Sequence, residues 1–249
     1  KIQKGFRPLL SGFTAVPLND LAAWDKAIDA KTTAAVLIES IQGEGGVNPA
    51  TADFLRGVEQ LCRARNVLFM IDEIQCGIGR TGKFFAYEHA GVKPDAIAMA
   101  KGLGGGFPIG AIWMAPPHDD LFQAGSHGTT FGGGPLAATA GLAVLEIIEA
   151  EQLVAKVAER SVGWHAELRK LVELRPDLVK EVRGAGYMVG VILNIDPIPV
   201  VAALREAGIL TAPAGGVAVR LLPPLNASPE ELAESVAILR QVLGAWKAA

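Results

Sequence analysis

The chain has 249 residues, half of them hydrophobic, and a formal net charge of −3. That length supports a large domain with a smaller one, and the lack of any basic run argues against nucleic acid or an anionic membrane as partner. No apolar stretch reaches a membrane span and no signal peptide is read; the two cysteines, Cys62 and Cys76, are too few for a disulfide framework, so a reducing cytoplasm is expected.

Taken in order, Asn19 and Asp20 are expected to cap a helix whose Leu21, Trp24 and Ile28 share one face. The apolar run 34–38 reads as a strand that stops at Glu39, followed by a loop over 42–48. Pro49 and Thr51 introduce a second helix, with Phe54, Leu55, Val58, Leu61 and Cys62 on one buried stripe. The five apolar residues 67–71 then predict a strand buried on both faces, ending at Asp72 and Glu73 and followed by a glycine-punctuated loop over 76–80. A third apolar run, 96–100, ends at Lys101. Strand, helix, strand implies parallel strands with a right-handed crossover.

Beyond Lys101, the glycines and Pro108 mark a turn, and 109–115 reads as a strand antiparallel to its predecessor, stopped by Pro116 and Pro117. From Pro135 a long helical pattern carries Leu136, Leu142, Leu145 and Ile148 on its apolar side, with a break expected over 149–153. The character shifts near Arg175 and Pro176, so the boundary is placed between Glu151 and Pro176. This predicts a large α/β domain over 1–150 and a small α+β domain over 151–249. The small domain is expected to hold one strand with two glycine-rich turns over 182–193, a helix over 199–208 and a strand over 217–222 containing Arg220. A capping box at Ser228, Pro229, Glu230 and Glu231 opens a final helix running to Trp246.

Three strands thus deliver Glu39, Asp72 and Lys101 to the sheet edge where α/β proteins collect ligands. A partly desolvated lysine is a usable amine nucleophile, and an aspartate nearby can hold a proton on a heteroaromatic nitrogen. That pairing is what pyridoxal phosphate needs. The ordinary readings stay beside this one. An acidic pair can simply solubilise a strand end, Gln75 can be a surface glutamine, and Glu44 and Arg220 can be surface charges. Thr129 and Thr130 can form a hydroxyl-closed turn. The glycines 102–106 lack the spacing of a phosphate loop and read as backbone clearance. His89, His118, His127 and His165 lack metal-ligand spacing, so no metal is expected.

Four ordered segments also carry a resemblance. Ile71, Asp72, Glu73, Ile74, Gln75, Gly77, Gly79 and Arg80 are followed by Pro94, Asp95 and 101–106; the others are 39–46, 127–133 and 220–225. Together they resemble the class III pyridoxal-phosphate aminotransferases, most closely the subgroup acting on acetylornithine. The resemblance implies a fold type I transferase with a mostly parallel large-domain sheet. It also implies that the N-terminal part of the family fold, with a Gly-Thr phosphate loop, a ring-stacking aromatic and a substrate arginine, lies outside these residues.

By the same resemblance, Lys101 forms the Schiff base and Asp72 holds the pyridine nitrogen. Glu73, Ile74 and Gln75 line the cofactor, with Gln75 on its phenolic oxygen, while Thr130 reaches the phosphate of the neighbouring subunit and Thr129 lies near substrate. Glu44 neutralises Arg220 while an ω-amino donor is bound. Gly134 stands where the family usually has asparagine. The implied activity is transamination of N-acetylornithine, or a related ω-amino donor, with 2-oxoglutarate in arginine biosynthesis, by a cytoplasmic homodimer with shared active sites. The alternatives are another class III ω-aminotransferase or aminomutase, or an inactive fragment.

Overall fold

A computed structural model describes residues 3–247. The chain runs α1 (Leu21–Ala27), β1 (Ala35–Glu39), β2 (Ile41–Gln42), β3 (Asn48–Pro49), α2 (Ala52–Arg65), β4 (Leu68–Asp72), β5 (Ala96–Met99) and β6 (Ala111–Met114). It continues through α3 (Pro135–Ala150), α4 (Leu153–Leu174), β7 (Val179–Ala185), β8 (Met188–Leu193), α5 (Pro197–Glu206), β9 (Ala212–Ala214), β10 (Ala218–Leu221) and α6 (Pro229–Gly244). Two four-stranded sheets result, ordered β1-β4-β5-β6 and β7-β8-β10-β9. In the first, β1, β4 and β5 are parallel and β6 is antiparallel to β5, as expected from the short connection.

Local chemistry sets the helix starts. Asp20 caps α1 by accepting from the Ala23 N–H at 3.0 Å. Asn19 does not share that role: it sits at φ 63° and its side chain bridges the Pro49 carbonyl and the Thr51 N–H, staking one helix start to the next. Thr51 caps α2, and Phe54, Leu55, Val58 and Cys62 are buried against Phe69 and Ile71 as the stripe predicts. Burial on both faces of the central strands is not observed. Phe69 and Ile71 are fully covered, Leu68 and Met70 are half-buried, and Leu37 of β1 is 59% exposed. Among the described residues α1 and α2 cover only one face of this sheet.

The face of α3 is also corrected. Leu136 and Leu142 point outward, and the packed side is Ala137, Gly141 and Ile148. Small residues line the side of α3 that meets the turn Lys101–Gly104, and a Cβ on Gly141 would make an ordinary contact there, 3.5 Å from the Leu103 carbonyl oxygen. The apolar periodicity picks out the large side chains, whereas the packed face carries mostly small ones. Gly134 is the N-cap of α3 and offers no capping side chain. The expected break falls at Gln152, which is left-handed at φ 53°.

In the second sheet all pairings are antiparallel. Its core packs Leu168 and Leu171 of α4, Val189 and Val191 of β8, Leu204 of α5 and Leu239 of α6. Residues 182–193 form a hairpin of two strands rather than one strand, turning at Gly186 (φ 53°). A Cβ at Gly186 would stand 2.6 Å from the Arg80 carbonyl oxygen, so the hairpin tip abuts the first sheet's loop, and the Tyr187 N–H donates to that carbonyl at 2.8 Å. β9 carried no sequence signal at three residues. α5 begins at Pro197, two residues before the expected start, because Asp196 caps it and proline suits the first turn. The capping box of α6 closes in both directions, at 3.1 and 2.7 Å, and the helix ends at Gly244 rather than Trp246. No helix among the described residues is long and apolar enough to cross a membrane.

Candidate active site

Parallel register brings the strand-end residues together. Glu39 pairs with Asp72, and Asp72 with Ala98 of the strand leading to Lys101. Asp72 Oδ1 accepts from the Ile74 N–H at 2.9 Å, which fixes one carboxylate oxygen and turns the chain. Glu39 accepts from the Gly43 N–H at 3.0 Å. Burial holds the Glu39 carboxyl above its ordinary range; that hydrogen bond and Lys101 pull it down, while Asp72 and Glu44 push it up.

Lys101 opens a tight turn at φ 45°, a left-handed conformation that a non-glycine residue occupies at a cost of about 1–3 kcal/mol. Its side chain is exposed, so the expected desolvation is absent among the described residues. It lies on a cavity of about 570 Å³ with Ile74, Gln75, Arg80 and Gly102. The glycine run is open only at Gly106, where no described atom lies within 4 Å of an added Cβ; Gly104 and Gly105 pack instead against Ile109 and Val144, which a Cβ would meet at 2.9 and 2.7 Å.

A second group meets this one from the other sheet. Arg220 on β10 is 8% exposed and donates through Nη1 to Glu44 Oε1 at 2.6 Å and to Gln75 Oε1 at 2.8 Å. Gln75 Nε2 also donates to Glu44 Oε1, at 3.3 Å. The Arg220 hydrogen bond holds the Glu44 carboxyl below its ordinary range. Arg220 Nε has no partner among the described residues, so the guanidinium has an unused buried donor. The Glu44 side chain is 68% exposed, yet its backbone is fixed, since its carbonyl accepts from the Gly215 N–H at 2.9 Å.

Not every expected residue joins. The Glu73 side chain is fully buried and its two oxygens accept from the Ala86 and Tyr87 N–H groups at 2.9 and 3.0 Å. It organises the turn Ala86–His89, which leaves its side chain no role in lining a cofactor. Thr129 and Thr130 lie on an exposed loop, where Thr129 accepts from the Gly132 N–H at 3.2 Å in the hydroxyl-closed turn foreseen as the ordinary reading. Among the described residues neither hydroxyl bonds to Lys101, Asp72 or Arg220. Cys76 is buried, donates to the Ile41 carbonyl, and has its thiol pushed up by burial, which makes it inert.

Sequence reasoning missed Arg183 of β7 and Gly43. Arg183 donates from Nε to the Val47 carbonyl and from Nη2 to the Gly46 carbonyl, both at 2.9 Å. A lone arginine in a strand carries no signal for that. Gly43 was legible only as one glycine among several.

The donor set fits pyridoxal phosphate: an accessible primary amine at Lys101, a carboxylate one strand away at Asp72, and open backbone beside them. The comparisons agree. The chain belongs to the class III aminotransferase family, whose model matches residues 1–243; members of this family are pyridoxal-phosphate enzymes. It is 44% identical over 243 residues to acetylornithine aminotransferase of Bacillus subtilis, covering 98% of this chain and 63% of that protein. Acetylornithine aminotransferase 1 of Bordetella bronchiseptica is 50% identical over 241 residues, covering 96% and 61%. Among solved structures, acetylornithine aminotransferase of Elizabethkingia anophelis superposes with a TM-score of 0.87 at 36% identity, covering 96% of this chain and 61% of that one. An ornithine aminotransferase of Toxoplasma gondii, whose active site holds pyridoxal phosphate at partial occupancy, gives 0.91 at 34%, covering 97% and 58%. The chain therefore spans about three fifths of the length of these relatives.

Proposed function

We propose that the whole protein transfers the ω-amino group of N-acetylornithine, or a closely related donor, to 2-oxoglutarate. The observation that carries this reading is the Glu44–Arg220 pair facing the Lys101 and Asp72 strand ends. A guanidinium suits a substrate carboxylate, and leaving it unpaired in a buried site would be costly. Glu44 supplies the missing charge while a donor presents its ω-amine, and yields to the second carboxylate of a 2-oxo diacid. The unused Arg220 Nε gives that carboxylate a further donor.

Pyridoxal phosphate, when bound, supplies an electrophilic carbon and an electron-accepting ring. Lys101 would offer its amine to that carbon and would carry the proton to and from the donor's reacting carbon. Asp72 would hold the proton on the ring nitrogen. Ile74 and Gln75 would line the cofactor, with the Gln75 amide serving its phenolic oxygen. Thr129 and Thr130 act in a homodimer, with Thr130 at the phosphate of the neighbouring site. The chain divides into a cofactor domain over 1–150 and a small domain over 151–249, each holding a large apolar core of its own. A cytoplasmic location accords with two buried free thiols.

The likeness to ornithine aminotransferases favours one second reading, with unacetylated ornithine as donor. A panel of acetylornithine, ornithine and other ω-amines assayed against 2-oxoglutarate with the full-length protein separates the two. Activity confined to donors without an ω-amine would overturn both.

A further inference from the structure

Three residues form one rung across the second sheet. Gly190 of β8 is the register partner of Arg183 on β7 and of Arg220 on β10. Directly paired residues project to the same face, so two arginines flank a position with no side chain. Val47 fills that position: a Cβ on Gly190 would stand 2.9 Å from Val47 Cβ. Val47 is fully buried and left-handed at φ 55°, a genuine outlier for a β-branched residue. Something must hold it there. Arg183 does so through the Gly46 and Val47 carbonyls and the Asn48 side chain, while Glu181 neutralises it at 2.8 Å. On the other side of Val47, the same loop delivers Glu44 to Arg220, with Gly215 donating to the Glu44 carbonyl.

We propose that Arg183 is a positioning residue for donor selection. It clamps the backbone of the Glu44 loop against the strand that carries Arg220, so that Glu44 leaves and regains the arginine by side-chain rotation from a fixed backbone. The two arginines of the rung divide the work: Arg183 binds the loop's carbonyls and Arg220 binds its carboxylate. This rests on the reading of Glu44 and Arg220 given above. Without the clamp Val47 relaxes toward an ordinary conformation and lifts off Gly190. Glu44 then masks Arg220 for a smaller fraction of the time, and the ω-amino donor suffers more than a donor whose α-carboxylate uses Arg220 directly.

The test compares Arg183→Ala, Arg183→Lys, Gly190→Ala and Glu44→Ala in the full-length protein. Two quantities are read: the ratio of kcat/KM for acetylornithine to that for glutamate in the half-reactions, and amide exchange over residues 43–48 in the apoprotein. Arg183→Ala should lower the ratio roughly tenfold, the scale of losing hydrogen bonds from a charged donor, and speed exchange over 43–48. Arg183→Lys should recover only part, since an ammonium cannot span two carbonyls as a planar fork does. Gly190→Ala displaces Val47 with Arg183 intact and should shift both quantities in the same direction. If the Arg183 variants lower both half-reactions equally, or leave exchange over 43–48 unchanged while Glu44→Ala moves the ratio, the positioning role is refuted. If Arg183→Ala does not fold, Gly190→Ala decides by the same two readings. If Glu44→Ala itself leaves the ratio unmoved, the functional reading fails, and the clamp inference with it.

Discussion

Gly43 lies where the Gln75 carboxamide would collide with any side chain: a Cβ on Gly43 would stand 2.0 Å from Gln75 Oε1. The loop holding Glu44 and the loop after β4 therefore interlock through a missing methyl group. Gly43→Ala should swing Gln75 away and remove its bond to Arg220, weakening the dependent half-reaction by about 1.5–3 kcal/mol in kcat/KM. The global thermal midpoint should change little, because Gln75 is only half-buried and belongs to neither large apolar core. A Gly43→Ala protein with an unchanged half-reaction would show that the Gln75 bond to Arg220 does not matter for turnover.

Lys101→Ala should abolish transamination in the full-length protein and leave thermal stability within about 0.5 kcal/mol, since the side chain is exposed and its loss opens no cavity. Asp72→Ala should lose most of the rate while the protein still reacts with the cofactor through Lys101. Absorbance of the bound cofactor and single-turnover rates distinguish the two variants. A silent Asp72→Ala would end its assignment to the ring nitrogen.

Glu73 gives a pH signature. Burial lifts its carboxyl from the ordinary 4.5 to about 7, against the pull of the Ala86 and Tyr87 N–H groups. The folded chain keeps the proton between those two values while the unfolded chain releases it. This contribution to stability is complete below pH 4.5 and is lost as pH rises to about 7. Glu73→Gln cannot titrate, so its denaturant midpoint should lack that decline. It should also be less stable above pH 7, by about 1–3 kcal/mol, because one of the two N–H groups loses its acceptor. Parallel pH profiles for the two proteins would rule Glu73 out as the titrating group.

Asp95 is a structural member of the motif. Its Oδ2 accepts from the buried Phe69 N–H at 2.8 Å, and Arg63 sits 2.6 Å from its carboxylate. Asp95→Ala leaves that N–H without a partner at the centre of the first sheet and should cost about 2 kcal/mol. Chemical denaturation reads this directly; a loss below 0.5 kcal/mol would mean the strand finds another acceptor.

The N-cap of α3 allows a gain. Gly134→Asn would supply the acceptor that this helix start lacks, worth roughly 0.3 kcal/mol. A rise in thermal midpoint is the expected result, and a fall would mean the exposed threonine loop relies on glycine there.

The strands that end in candidate site residues were readable because each is a short apolar run closed by an ionisable residue. Apolar runs ending at Glu39, Asp72 and Lys101 mark both the strands and the edge proposed to take the ligand. Helix caps at Asp20, Thr51 and Ser228 were equally plain, since each satisfies an open N–H with a side chain of fixed reach. Features depending on what lies opposite were not legible. The packed face of α3 is marked by small residues, the β7–β8 hairpin hides behind glycines read as loop, and Glu73 looks like a site acid until the Ala86 and Tyr87 amides are found on it. Arg183 and Val47 escape for the same reason: a carbonyl acceptor has no sequence signature.

The Gly215 bond to the Glu44 carbonyl has a consequence for inhibition. Glu44 is a tethered competitor, present at an effective concentration in the millimolar range or above for a short flexible link. Every free carboxylate arriving at Arg220 must displace it, so simple monocarboxylic acids bind more weakly than the guanidinium alone would allow. A diacid that gains a second anchorage escapes this handicap. On the proposed reading the pair would act as an intramolecular filter against small carboxylates, and a Glu44→Gln protein should become sensitive to acetate and propionate at concentrations the parent tolerates.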